Sequence, residues 1–195
     1  REHVHPRPNC QLRAFEPAGN LYPRLRENLA SKHPELVRAS RLDTSNAYSQ
    51  TSGAEFDTLI MINVLEHIAD DAQGIRLAHD SLEAGGTLVV FTPALPCLFS
   101  AFDKAVGHHR RYKKEELRRL FLDNGFTVLK LKYMDCLGVC PWYLRFVVGG
   151  SLSINPGLAR TYDKWFVPVT RCVETLWEPW IGKNLLVVGQ KNSPA

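Results

Sequence analysis

The stretch FDTLIMINVLEHIADD, residues 56–71, decides how the rest of the chain is read. Asp57 leads into a mostly apolar run, Asn63 follows, and Leu65-Glu66-His67 then opens a helical pattern. A short apolar run bounded in this way reads as a buried strand, here Phe56 to Val64. Such a strand delivers polar groups to its carboxyl end, where open α/β sheets bind ligands. Ile68, Ala72, Ile75 and Leu82 recur on one face of the helix that follows.

Working toward the C-terminus, Gly85-Gly86 turns the chain into a second buried strand, Thr87–Thr92. Lys113 to Asn124 reads as a helix with Leu117, Leu120 and Phe121 inward and Gly125 as its stop. Strands are expected over 126–133 and 185–190, about fifty residues apart and too far for a hairpin. The stretch between them holds all four tryptophans, Trp142, Trp165, Trp177 and Trp180, and is expected to form helices of its own over 134–182. Toward the N-terminus, Gln11 to Phe15 reads as a short strand ending at Glu16-Pro17. Leu21, Leu25 and Leu29 mark a helix capped by Asn20, and Leu36 to Leu42 a weaker strand ending at Asp43. Alternating strands and helices predict a mostly parallel α/β sheet in a single domain over 1–195.

The bulk numbers exclude several classes. A net charge of +4, with 23% charged residues, is no nucleic-acid signature, so no nucleic acid is expected as a partner. Five scattered cysteines, with only Cys136 and Cys140 close together, fit neither a zinc ribbon nor a disulfide framework. No metal site is expected, and a reducing cytoplasm is the default setting. No apolar run reaches the length that spans a bilayer, and no signal peptide is read.

The candidate chemistry sits at strand ends and in one loop. Glu16 can accept hydrogen bonds from ribose hydroxyls or simply flank a helix. Asp43 can read an adenine amino group, with Thr44 beside it, or close an Asx turn. Glu66 near a helix start complements the helix dipole. His67 is a core histidine or a neighbour of a cofactor. In GHHRRY, residues 107–112, a histidine is the natural proton acceptor near neutral pH. Either His108 or His109 fills that role, with Tyr112 positioning and Asp103 upstream to orient the ring. Arg110 and Arg111 can clamp a carboxylate or phosphate of a substrate, or form a solvated charged loop. CLGVCPWYLRFVVGG, residues 136–150, is a helix packed on the sheet or a lid over a greasy acceptor, with Trp142 against the substrate. In a membrane-surface version of the second reading, Arg145, Arg160, Lys164 and Arg171 meet lipid phosphates.

Seven pieces in order carry a family resemblance: FEP (15–17), RLDT (41–44), FDTLIMINVLEHIADD (56–71), LEAGGTLVVFTPA (82–94), FDKAVGHHRRYKKEEL (102–117), NGF (124–126) and IGKNLLVVGQK (181–191). The chain resembles a class I S-adenosylmethionine-dependent methyltransferase of the type 11/type 12 grouping. That resemblance implies a Rossmann-like sheet with one antiparallel strand near the C-terminus and S-adenosyl-L-methionine as cofactor. It implies that Glu16 holds the ribose, and that Asp43 with Thr44 reads the adenine. It places Asn63, Val64, Leu65 and His67 at the methionine part, and His108–Tyr112 toward the acceptor. One departure is large. The family's first strand and Gly-x-Gly-x-Gly-like loop precede the piece matching Glu16, and the only glycine in residues 1–50 is Gly19. The expectation is an N-terminally incomplete domain with impaired cofactor affinity, acting on a small-molecule, sugar or lipid-like acceptor.

Two rivals stand beside it. A nicotinamide-dependent dehydrogenase also uses an acid at the second strand's end, but it too needs a glycine fingerprint. A non-catalytic methyltransferase-like remnant acting as a binding module would explain the missing glycines and leaves GHHRRY without a use.

Overall fold

The computed structural model describes residues 13–15, 22–32, 41–43 and 56–192, in two units divided between Ser52 and Gly53. In the first unit, strand β1 (Arg13–Phe15) pairs in parallel with β2 (Arg41–Asp43), across the helix Tyr22–Lys32. Phe15 stands opposite Asp43, so Asp43 is the last residue of its strand. Glu16 and Thr44 lie outside the described residues.

The second unit is built on four strands: β3 (Phe56–Ile62), β4 (Leu82–Pro93), β5 (Phe126–Met134) and β6 (Asn184–Lys191), in the order β3-β4-β6-β5. β3 and β4 are parallel, and β6 runs antiparallel to both of its neighbours. One strand near the C-terminus is thus reversed, as expected. The expectation of a mostly parallel sheet needs correcting at the level of pairing. β6 lies between β4 and β5, so only one of the three ladders in this sheet is parallel.

β4 and β6 form the centre because their alternate residues are apolar. Leu88 and Val90 of β4, with Leu185 and Val187 of β6, are fully buried. The helix Asp71–Ser81 adds Ile75 and Ala78 to this core, and the helix Lys114–Asp123 adds Leu117 and Phe121. Gly189 of β6 is required by that packing. A Cβ there would come within 2.6 Å of the Phe121 ring, closer than any side chain tolerates.

Three boundaries differ from the sequence reading for local reasons. β3 stops at Ile62 because Asn63 takes a left-handed backbone, φ 51°, which an Asn side chain tolerates and a strand cannot continue. Leu65–His67 is one 3-10 turn, and the α-helix starts only at Asp71, where the Asp70 carboxylate accepts from the Gln73 N–H at 2.9 Å. Gly85-Gly86 does not precede β4 but lies within it. The register jumps from Phe56–Leu82 to Thr58–Thr87 across this bulge, with Gly85 at φ 76°. The helix Lys114–Asp123 ends where Gly125, at φ 82°, turns the chain into β5.

Between β5 and β6 the chain is helical over Val139–Val148 and again over Pro156–Leu176, each with a π-helical stretch. Among the described residues no helix is long and apolar enough to cross a membrane.

Candidate functional site

The carboxyl ends of β3 and β4 are knitted to the GHHRRY loop by backbone hydrogen bonds. Asn63 N–H donates to Phe91 at 2.8 Å, fixing the end of β3 against β4. Tyr112 N–H donates to Pro93 and Leu95 N–H to Tyr112, both at 3.0 Å, in a bridge that extends β4 by one parallel partner. His109 N–H donates to Glu66 at 2.8 Å. The loop therefore lies along the Leu65-Glu66-His67 turn, and two motifs about forty residues apart become one cluster.

Asp103 is the hub of that cluster. It sits fully buried on the short helix Ala101–Ala105, where it completes a capping box with Ser100. One oxygen accepts from His108 Nδ1 at 2.9 Å and from Arg111 at 2.9 and 2.8 Å; the other accepts from the Ser100 amide and hydroxyl at 2.9 and 2.8 Å. Burial by itself would raise its pKa, but the bonds from His108, Arg111 and Ser100 and the charge of Arg111 outweigh it. They hold the carboxyl down at about 2. An ionised Asp103 at His108 Nδ1 keeps the ring proton on that nitrogen and leaves the Nε2 lone pair free.

His108 Nε2 lies 3.9 Å from Glu66 Oε1. Glu66 is fully buried; its other oxygen accepts from the Thr92 hydroxyl at 3.0 Å, while Oε1 has no hydrogen-bond partner. Burial pushes its pKa up, against the lowering pull of the Thr92 bond and of His108 and His67. His67 is exposed, with Nδ1 3.2 Å from the Gly107 carbonyl, and its ring stands edge-on to His108 at 4.7 Å between centroids. One donor atom from each of Glu66, His67 and His108 lies within 4.8 Å of the others, a set able to hold a metal ion.

Several residues expected to meet ligands have other work. Arg111 is buried, bonded to Asp103 and to the Ala94 carbonyl at 3.3 Å, so it does not clamp a substrate anion. Arg110 pairs with Asp71 at 2.7 Å and donates to the Ala69 carbonyl, which ties the loop to the following helix. Tyr112 is also buried. Its hydroxyl donates to Asp71 at 3.0 Å, and burial with the Asp71 charge pushes its pKa above the usual tyrosine range. It braces the turn. Trp142 donates from its indole to the Leu98 carbonyl at 3.3 Å, with Arg111 and Lys183 over its ring at 4.7 and 5.3 Å. Leu65 is wholly buried in the core, whereas Asn63 is exposed and Val64 half-buried. His109 projects outward.

The buried carboxylate of Glu66 was missed in the sequence, where it looks like a helix-start acid; nothing local marks it as interior. Asp70 and Asp71 look equivalent in the sequence, yet one caps the helix and the other holds Arg110 and Tyr112.

No protein-family model matches the sequence, and no curated protein does either. Solved structures do match. The chain is similar to the [4+2]-cyclase SpnF at 15% identity and TM-score 0.59, over 94% of this chain and 68% of that one. It is similar to a structure from Bacillus halodurans named as a methyltransferase, at 13% identity and TM-score 0.61, over 94% and 84%. It is also similar to the O-methyltransferase of a trans-AT PKS multienzyme of Brevibacillus brevis in complex with S-adenosyl-L-homocysteine, at 14% identity and TM-score 0.57, over 93% and 59%. At these identities the likeness establishes the fold alone: the chain has the class I methyltransferase fold. A cyclase among the neighbours shows that this fold does not by itself choose a reaction.

Proposed function

We propose that this chain is built for S-adenosylmethionine-dependent methyl transfer to a hydroxyl-bearing acceptor, with the cofactor weakly held. The observation that carries the reading is the Asp103–His108 pair set against the carboxyl end of β3, where doubly wound sheets bind their ligands. The fit of the described residues to the cofactor is partial. Exposed Asn63, in its left-handed conformation, opens the strand end to a polar ligand. Among the described residues, however, no glycine-rich loop stands there to supply backbone amides. β3 also lies at the edge of its sheet, and Ile60 and Ile62 on one face are 61% and 62% exposed, whereas a parallel strand of this fold class is normally covered on both faces.

In this reading Asn63 and the Val64 backbone hold the amino-acid end of the cofactor. When bound, the cofactor supplies an electrophilic methyl group. His108, kept in one tautomer by Asp103, takes the acceptor's proton at Nε2. His109 is the alternative proton acceptor on the same loop. The acceptor is lipid-like or otherwise apolar. Residues 139–181 carry an uncovered apolar surface that includes Trp165, Leu176 and Trp180, interleaved with exposed Arg160, Lys164 and Arg171.

The test is release of S-adenosylhomocysteine by the 195-residue chain, at saturating S-adenosylmethionine, across a panel of sugar, phenol and lipid-like hydroxyl acceptors. Slow turnover that falls about 10²–10⁴-fold in His108→Gln supports the reading. No turnover on any acceptor, together with no cofactor binding by calorimetry, rejects it in favour of the non-catalytic binding module.

A further inference from the structure

We infer that Glu66, His67 and His108 form a binding site for a divalent first-row transition-metal ion. Three observations converge on it. The first is geometric: one donor atom of each residue lies within 4.8 Å of the other two, and His108 Nε2 and Glu66 Oε1 are already 3.9 Å apart. Zn–N and Zn–O bonds of about 2.0–2.1 Å in a tetrahedron put donors about 3.4 Å apart. The His108–Glu66 pair therefore needs to close by only about half an ångström. The remaining distance lies at His67, whose side chain is exposed.

The second observation is an unmet demand. Glu66 is fully buried, yet Oε1 has no hydrogen-bond partner. A buried carboxylate oxygen left alone is costly, and a bound cation would answer it. Arg111, whose charge is felt by Glu66, has both of its ion-pairing nitrogens on Asp103.

The third is the tautomer of each ring. Asp103 accepts at His108 Nδ1, and the Gly107 carbonyl faces His67 Nδ1. Both acceptors place the proton on Nδ1 and leave Nε2 as the nitrogen with a lone pair. A carboxylate or carbonyl holding the far nitrogen is the usual support for a metal-bound histidine. Two imidazoles and one carboxylate suit zinc, cobalt, manganese or iron; magnesium and calcium prefer all-oxygen shells. Three protein ligands leave coordination positions open on the side of exposed His67. When the cation is bound, the His108 Nε2 lone pair belongs to it, so the loaded and metal-free proteins differ in whether His108 can take a proton.

The site is tested with the metal alone, without cofactor or acceptor, so its failure is distinct from failure of the methyl-transfer reading. Co²⁺ is titrated into chelator-treated protein and followed by visible absorption. The expected result is a new ligand-field band saturating at one equivalent, weakened at least tenfold in both His67→Ala and Glu66→Gln and unchanged in His79→Asn. His67 is a surface side chain, so its variant keeps the fold even if the buried Glu66 variant does not. Circular dichroism checks both. No band in the parent chain, a band untouched by His67→Ala, or a band lost in His79→Asn overturns the assignment.

Discussion

Replacing Asp103 with Asn should unmask how much of the second unit hangs on one carboxylate. The substitution keeps the volume but removes the negative charge that faces Arg111, whose side chain is 1% exposed. Breaking a buried ion pair from one side typically costs about 3–5 kcal/mol, because the other charge is stranded. For a chain of this size each kcal/mol lowers the melting temperature by about 2–4 °C, so Asp103→Asn should melt about 6–20 °C lower at pH 7. The double variant Asp103→Asn/Arg111→Met removes the stranded charge as well and should recover most of that loss. The pH dependence carries the same signature. Asp103 titrates near 3.8 in an unfolded chain and at about 2 in the folded one. A depressed carboxyl stabilises fully above its unfolded pKa and loses that contribution as pH falls through the folded one. The parent should therefore lose about 2 kcal/mol between about pH 4 and pH 2 that Asp103→Asn has no means to lose. Thermal melts by circular dichroism, from pH 7 down to pH 2, measure both effects. A loss below about 1 kcal/mol at pH 7, or a double variant no more stable than the single, would refute the argument that a stranded Arg111 sets the cost.

Gly189→Ala should destabilise the second unit by about 1–3 kcal/mol in urea, because the new Cβ would meet the Phe121 ring at 2.6 Å; a neutral result would mean the helix Lys114–Asp123 can shift away from β6. If the apolar surface between β5 and β6 meets lipid, anionic vesicles should blue-shift the tryptophan fluorescence. Leu176→Ser with Trp180→Ser, both 84% exposed in the parent, should reduce vesicle binding severalfold; equal binding by parent and variant would sink the lipid reading.

Some of this architecture was legible because it depends on short-range pattern. Apolar runs bounded by Asp57 and Asn63, and by Gly86 and Pro93, mark β3 and most of β4; the spacing of Leu117 and Phe121 with Gly125 behind them marks a helix and its stop. The reversed strand β6 came from the family resemblance and agrees with the pairing. The fates of the charged residues in GHHRRY were not legible. Arg110 and Arg111 are adjacent and chemically identical, yet one ties the loop to a helix rim and the other lies buried on Asp103. Alternation along an extended segment sends neighbours to opposite sides, and which side is interior depends on what the segment lies against.

By itself, the sequence pointed to an α/β chain and singled out Leu65-Glu66-His67 and GHHRRY as its candidate motifs. Those conclusions rest on residue type and spacing, which are local properties. Only the tertiary structure decided that the two motifs meet and that Glu66 is buried with one oxygen unanswered. Those facts arise because Tyr112 extends the β4 edge and His109 bonds back to Glu66, contacts between residues tens of positions apart that no local pattern encodes.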